Sequence, residues 1–410
     1  MKTMIGTDGD DLSKNKAAIE GKLPLRSCML KGKLIHMRCA AHILNLIVKD
    51  GMSVMEKGID KVRDSVAYWS ATPKRHEKFE KMAAQMKGKY EKRIALDCKT
   101  RWNSTYTMLS TALLYQDVFE RLASRAPCVP SAEDWKFSRE LCDRLKMFYD
   151  VTEVLSGTKY VTANLFFPKI CNIFMAIRKW LSSDIPKIEE MSIKMKEKFN
   201  KYWSDVHGLM AVAAVLDPRF KLHLLNALFH KIHGSESVAV ESSNKVKDLL
   251  YNLVLEYQDT VEDVATTDGA ETRPRAPTLR DDEDWMDTFD DWMSKIPVVT
   301  STYVRRELDL YLEEPLLPRT QDLDIIQWWQ VAGLKYPTLR KIARDVLAIP
   351  VTTVASESAF STSGRIISPH RSRLAPSMIE ALMCMQAWSH NDMLCKCNFC
   401  KQRFFILYKL

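Results

Sequence analysis

The sequence predicts a mainly α fold with a small β remnant. Glycine and proline are scarce, at 13 and 16 in 410 residues, and a many-stranded fold needs more positions able to make tight turns. Apolar residues recur with the helical period in several stretches, while period-2 alternation is short and weak wherever it occurs. Taken in order, Met4–Gly6 and Leu34–Arg38 are the strand candidates; in the second, Leu34, His36 and Arg38 alternate with Ile35 and Met37. Ile43, Leu44, Ile47 and Val48 then form a helical stripe directly after a polar turn at His42. A second stripe holds Leu141, Leu145, Phe148, Tyr149 and Thr152. The clearest one runs from Pro337 to Ile349, where Leu339, Ile342, Ala343, Val346 and Leu347 fall at i, i+3, i+4, i+7 and i+8. Pro337 suits its first turn and Pro350 closes it. Pro376 opens a last helix with Ile379, Leu382, Met383 and Gln386.

The balance of 60 basic against 52 acidic residues gives a net charge of +8, and 46% hydrophobic with 27% charged residues is the mix of an ordinary folded protein. Wholesale disorder is excluded. The longest near-apolar run, Gly208 to Leu216, is far short of the roughly 20 residues a membrane-spanning helix needs. The first thirty residues mix Asp8, Asp10 and Asp11 with Lys14, Lys16 and Lys22, without the apolar stretch of a signal peptide, so the chain is expected to stay inside the cell. Its ten cysteines are then expected as reduced thiols, with no disulfide framework.

Two charge blocks organise the chain. Glu262 to Pro277 is polar and rich in threonine and proline, and Asp281 to Asp291 holds seven acidic residues and no basic one, which marks an exposed linker. Lys74 to Arg101 carries ten Lys or Arg against four Asp or Glu, includes Tyr90 and leads into Trp102. Such a stretch can track a phosphate backbone, with Lys87, Lys89, Lys92 and Arg93 at its centre; a solvated helix face is the other reading.

Three segments combine unusual residues: Arg38-Cys39-Ala40-Ala41-His42-Ile43-Leu44-Asn45-Leu46, Leu96-Asp97-Cys98-Lys99-Thr100-Arg101-Trp102-Asn103-Ser104-Thr105-Tyr106, and Ala355-Ser356-Glu357-Ser358-Ala359-Phe360-Ser361. Two further blocks are Ala214-Val215-Leu216-Asp217-Pro218-Arg219-Phe220-Lys221-Leu222 and the run from Glu307 through Trp328-Trp329 to Trp388. In order and spacing the five blocks resemble the hAT (hobo/Activator) transposase superfamily over roughly residues 10–390, closest in style to its plant RICESLEEPER-like, BED zinc finger branch.

The resemblance implies a ribonuclease H-like core interrupted by a helical insertion. It also implies three acidic residues that hold divalent metal for phosphoryl transfer, chemistry that two ions about 4 Å apart and hard oxygen ligands perform. Asp10 matches the second acid, with Asp8 as the weaker alternative, and Glu357 matches the third. The first has no counterpart, so the chain reads as N-terminally truncated and its acids as relics. A pair of metals held by two carboxylates lacks a bridging ligand, and no catalysis and no cofactor are expected. On this footing the expected domains are a partial core with the basic segment at 1–125, a helical region at 126–261, an acidic linker at 262–300, a dimerisation region at 301–390 and a divergent tail at 391–410.

The resemblance also assigns Trp102 a ring that stacks on DNA, with Arg101 beside it to hold a phosphate; the alternative is a core tryptophan next to a surface arginine. The resemblance places Cys39 and His42 in the family's core rather than in a zinc knuckle, and two ligands alone do not close a tetrahedral zinc site. Cys395, Cys397 and Cys400, with His390 nearby, are spaced too tightly for an ordinary two-plus-two finger, so no metal is assigned. Trp328 and Trp329, adjacent on a helix, cannot both face one core: one is expected inside and the other at a partner subunit. Leu339, Ile342, Val346 and Phe360 complete the expected dimerisation surface. The function expected is that of a transposase-derived nuclear DNA-binding protein that homodimerises through its C-terminal region, with no membrane and no small-molecule substrate. An active transposase and a pure protein-interaction module are the alternatives.

Overall fold

The computed structural model describes residues 29–32, 38–87, 90–203, 208–265, 300–319, 323–354, 377, 378 and 382. The chain divides into two units, Met1–Thr352 and Thr353–Leu410. Of the second, residues 354, 377, 378 and 382 are helical. Every regular element among the described residues of the first is a helix. The strand expected at Met4–Gly6, and residues 34–37 of the other, lie outside the described residues; Arg38 has irregular backbone.

The first unit runs through α1 (Ala40–Met52), α2 (Glu56–Ser70), α3 (Pro73–Lys87), α4 (Trp102–Leu114), α5 (Gln116–Arg121), α6 (Ala132–Leu155), α7 (Ala163–Trp180), α8 (Pro186–Trp203), α9 (Gly208–Val215), α10 (Lys221–His233), α11 (Glu236–Ala265), α12 (Thr300–Glu313), α13 (Ile325–Ala332) and α14 (Pro337–Leu347). Helix α1 begins at Ala40, so His42 sits in its first turn rather than in a turn before it. Helix α11 continues to Ala265, into the start of the stretch read as linker.

Local chemistry sets several boundaries. Ser131 starts α6 through a reciprocal capping box: its Oγ accepts from the Asp134 N–H, and the Asp134 carboxylate accepts from the Ser131 N–H at 2.8 Å. Asp324 caps α13, accepting from the N–H groups of Ile326 and Gln327 at 3.0 and 3.1 Å. Gly234, at φ +67°, stops α10 in a left-handed turn that a side chain would strain. Gly51 lets α1 approach α8 closely, since a Cβ there would lie 2.6 Å from Met195 Cγ.

Helix α9 is apolar on every side, and from Leu209 to Val215 every residue is buried. A helix of that kind must be surrounded, and α7, α10, α11 and α14 pack around it. A second group forms where α2 and α4 pack on α6, with α1 bridging to α6 and α8.

The segment 214–222 joins the C-terminal helices to this centre. Trp329 Nε1 donates to Leu216 O at 2.8 Å, the Tyr311 hydroxyl to Val215 O at 2.9 Å, and Leu317 N to Pro218 O at 3.1 Å. Lys221 Nζ donates to Tyr311 O and, at 2.8 Å, to Glu314 O, capping the end of α12 from below the Tyr311 ring. Asp217 has a fully buried side chain; it accepts from Asn164 Nδ2 at 2.8 Å and pairs with Arg219 at 2.7 Å. On the far side, Glu307 accepts from Leu339 N at 2.7 Å, and burial pushes its carboxyl above the ordinary value. Leu339, Ile342 and Val346 therefore face the chain's own core and are fully buried, so the residues of α13–α14 left for a partner copy are others. Trp329 is buried as well, whereas Trp328 is half-buried with its ring at 88° to that of Trp329.

Candidate nucleic-acid interface

Two of the motifs singled out by sequence, those at 38–46 and 96–106, meet along α1. Cys39, buried, precedes the helix, and the Ala40 N–H donates to Val351 O at 2.9 Å. One and a half turns into α1, Asn45 Oδ1 lies 3.4 Å from the Trp102 N–H that opens α4. His42 is exposed on the first turn.

The loop before α4 is held by a buried ion pair. Arg63 on α2 donates from Nε and Nη2 to the two oxygens of Asp97 at 2.8 and 2.9 Å, and the Thr105 hydroxyl donates to Asp97 Oδ2 at 2.6 Å. The Asp97 side chain is fully buried, which alone would raise its carboxyl. The Arg63 and Thr105 hydrogen bonds outweigh that and hold it below the usual carboxylate range. Ser104 Oγ accepts from Cys98 N at 2.8 Å and lies 2.7 Å from Arg101 O, and Arg101 N donates to Cys98 O at 2.8 Å. A loop fixed at this many points presents its outward side chains, Lys99 and Arg101, from a defined position. Exposed Cys98 is drawn below the usual thiol value by the Thr100 hydroxyl beside it.

Trp102 is 2% exposed and meets Phe148 edge-on. In this arrangement its ring is core, and Arg101 is the side chain of the pair that solvent reaches. Lys92 and Arg93 are exposed on the stretch between α3 and this loop. Among the described residues no carboxylate forms an ion pair with Lys92, Arg93 or Arg101, although Glu77 and Glu80 line the same shallow hollow as Arg93 and offset part of its field. Lys99 lies 3.6 Å from Asp60, which already serves Arg63.

The Lys87 side chain, Lys89, Phe360 and both acids expected as catalytic, Asp10 and Glu357, lie outside the described residues. Cys395, Cys397 and Cys400 do as well. Among the described residues no group of three His, Cys, Asp or Glu side chains is placed to hold a metal ion. Cys39 and His42 gain no third ligand there. Sequence reasoning passed over Arg63, Asn45 and Asp97 as positioning groups. Asp97 stood inside the quoted motif, but its partner is 34 residues away and visible only once α2 and α4 are folded together.

Three family models match the chain in succession: the ZBED1 RNase-like helical domain over 37–144, the hAT-like transposase RNase-H fold over 164–257, and the hAT family C-terminal dimerisation region over 307–389. The chain belongs to the hAT transposase family. It is 40% identical to a putative AC transposase of Zea mays, across 87% of this chain and 44% of that protein. To the zinc finger BED domain-containing protein RICESLEEPER 2 of Oryza sativa subsp. japonica it is 36% identical, across 88% of this chain and 51% of that protein. To the zinc finger BED domain-containing protein DAYSLEEPER of Arabidopsis thaliana it is 33% identical, across 88% and 50%. The chain spans about half the length of the curated relatives it matches. No helix among the described residues is long and apolar enough to cross a membrane.

Proposed function

We propose that this chain is a transposase-derived nuclear protein that contacts DNA through the Lys92–Arg101 face, self-associates through its C-terminal region and does not itself cut or join DNA. The observation that carries the DNA contact is the set of exposed cations, Lys92, Arg93 and Arg101, without ion-pair partners among the described residues, on a stretch braced by the buried Arg63–Asp97 pair. Exposed cations on a positioned loop can hold the phosphate backbone. Self-association is supported by the dimerisation-region match over 307–389. The non-catalytic reading is supported by the likeness to the zinc finger BED domain-containing proteins RICESLEEPER 2 and DAYSLEEPER.

The binding test is fluorescence anisotropy of the full chain on generic duplex DNA across about 50–200 mM salt. Each phosphate contact contributes about 0.9 to the slope of log affinity against log salt. Converting Lys92, Arg93 and Arg101 to glutamate should flatten the slope by two or more such contributions; an unchanged slope would refute the assignment. The catalytic test incubates the chain with magnesium or manganese and DNA bearing terminal inverted repeats. No nicking is expected, and cleavage that vanishes in Glu357→Ala would establish the active-transposase reading instead.

A further inference from the structure

A second cationic group stands at the start of α1 and the end of α8, and no comparison assigns it a role. Arg38, exposed and first in the 38–46 motif, lays its guanidinium over the ring of Tyr202, 5.1 Å from the centroid. Lys201, exposed at the end of α8, brings its ammonium to 5.6 Å from the same centroid. Residues 163 positions apart thus put two cations on one half-buried tyrosine. The ring attracts both cations. Among the described residues no carboxylate forms an ion pair with Arg38 or Lys201, and Asp50, on α1 where it packs on α8, is paired with Lys198 at 2.8 Å.

We infer that Arg38 and Lys201, oriented by the Tyr202 ring, form a second contact for the DNA backbone phosphate. A guanidinium stacked on an aromatic face loses little freedom when it binds, and its edge N–H groups remain free to fork onto phosphate oxygens. The ligand is the phosphate backbone rather than a base, because the cations occupy the ring's environment and leave phosphate-binding groups outermost.

This inference rests on the DNA-binding reading above, and the experiment separates the two. Salt slopes of the full chain on the same duplex are compared for wild type, Arg38→Ala, Lys201→Ala, Tyr202→Phe and Tyr202→Leu, with far-UV circular dichroism of each. Arg38→Ala and Lys201→Ala should each lower the slope by about 0.9, the share of one phosphate. Tyr202→Phe, which keeps the ring, should bind as wild type does, while Tyr202→Leu should lose affinity like Arg38→Ala. Wild-type slopes in Arg38→Ala and Lys201→Ala, alongside a flattened slope in the Lys92, Arg93 and Arg101 variant, would overturn this inference and leave the first reading standing. Absence of salt-dependent binding by the wild-type chain would overturn both.

Discussion

Asp97 shows at the scale of one residue how buried charge is put to use. Taking two ions out of water is costly, and the cost is recovered only when geometry is good and remaining lone pairs are met. Here Arg63 supplies two bonds, Thr105 a third, and Asp60 holds the guanidinium from the other side. Asp97→Ala would strand a guanidinium that is only 13% exposed. Such a break typically costs about 3–5 kcal/mol, and the surviving Asp60 contact argues for the lower end; urea unfolding at neutral pH measures it. The folded carboxyl sits below its unfolded value. Its contribution is therefore complete above the unfolded value of about 3.9 and drains away as pH falls through the folded value. Wild-type urea midpoints should drop across that acid window more steeply than those of Asp97→Asn, which has no such proton to take up; equal pH profiles would show that the pair is not the source.

Among elements, α13 and α14 divide the apolar surface of the C-terminal region between inside and outside. Helix α14 turns its whole stripe inward, whereas Val331 and Leu334, at the end of α13 and just past it, are 70% and 89% exposed, with half-buried Trp328 on the same helix. If a second copy meets this region, these are the residues it can reach without unfolding anything. Val331→Lys combined with Leu334→Glu should therefore weaken self-association of the full chain in sedimentation equilibrium while leaving its melting temperature unchanged. Ile342→Ala should do the reverse in kind, costing about 2–5 kcal/mol of stability through the cavity it leaves. A dimer untouched by the double variant would move the interface elsewhere.

The α14 helix was legible in the sequence because its period, its opening Pro337 and its closing Pro350 all agree, and local signals of this kind survive folding. Which body the stripe of Leu339, Ile342 and Val346 would face was not. A stripe states that a helix needs a partner surface, and α9 and α11, which provide it, lie some hundred residues earlier in the chain. Trp102 illustrates the same limit. Its motif was visible as a motif, but burial against Phe148 depends on how α4 meets α6, which no local pattern encodes. Arg101 and Arg38 were readable as cations; that one stands on an ion-paired loop and the other on a tyrosine are facts of tertiary placement.

For the whole molecule, the consequence is that the C-terminal region of the first unit depends on its partners for its fold. Tyr311, fully buried, sends its hydroxyl to Val215; Trp329 sends its indole N–H to Leu216; and the last carbonyls of α12 are met by Lys221, itself only 1% exposed. All three contacts reach into the segment 214–222, at the end of the central helix. A fragment beginning at residue 300 retains α12–α14 but loses every one of these acceptors and donors, together with the apolar walls of α9 and α11. Three short helices of 14, 8 and 11 residues cannot compensate, since isolated helices under about 12–15 residues are marginal in water. The fragment 300–354 should accordingly give a coil-like far-UV circular dichroism spectrum, and any association it shows should be non-specific and lack a single mass. Co-expressed with residues 38–265, it should recover helicity and bind that piece, and Trp329→Ala should weaken the recovery. A fragment that is helical and discretely dimeric on its own would instead mean that α12–α14 can bury their stripes against a second copy in place of α9 and α11.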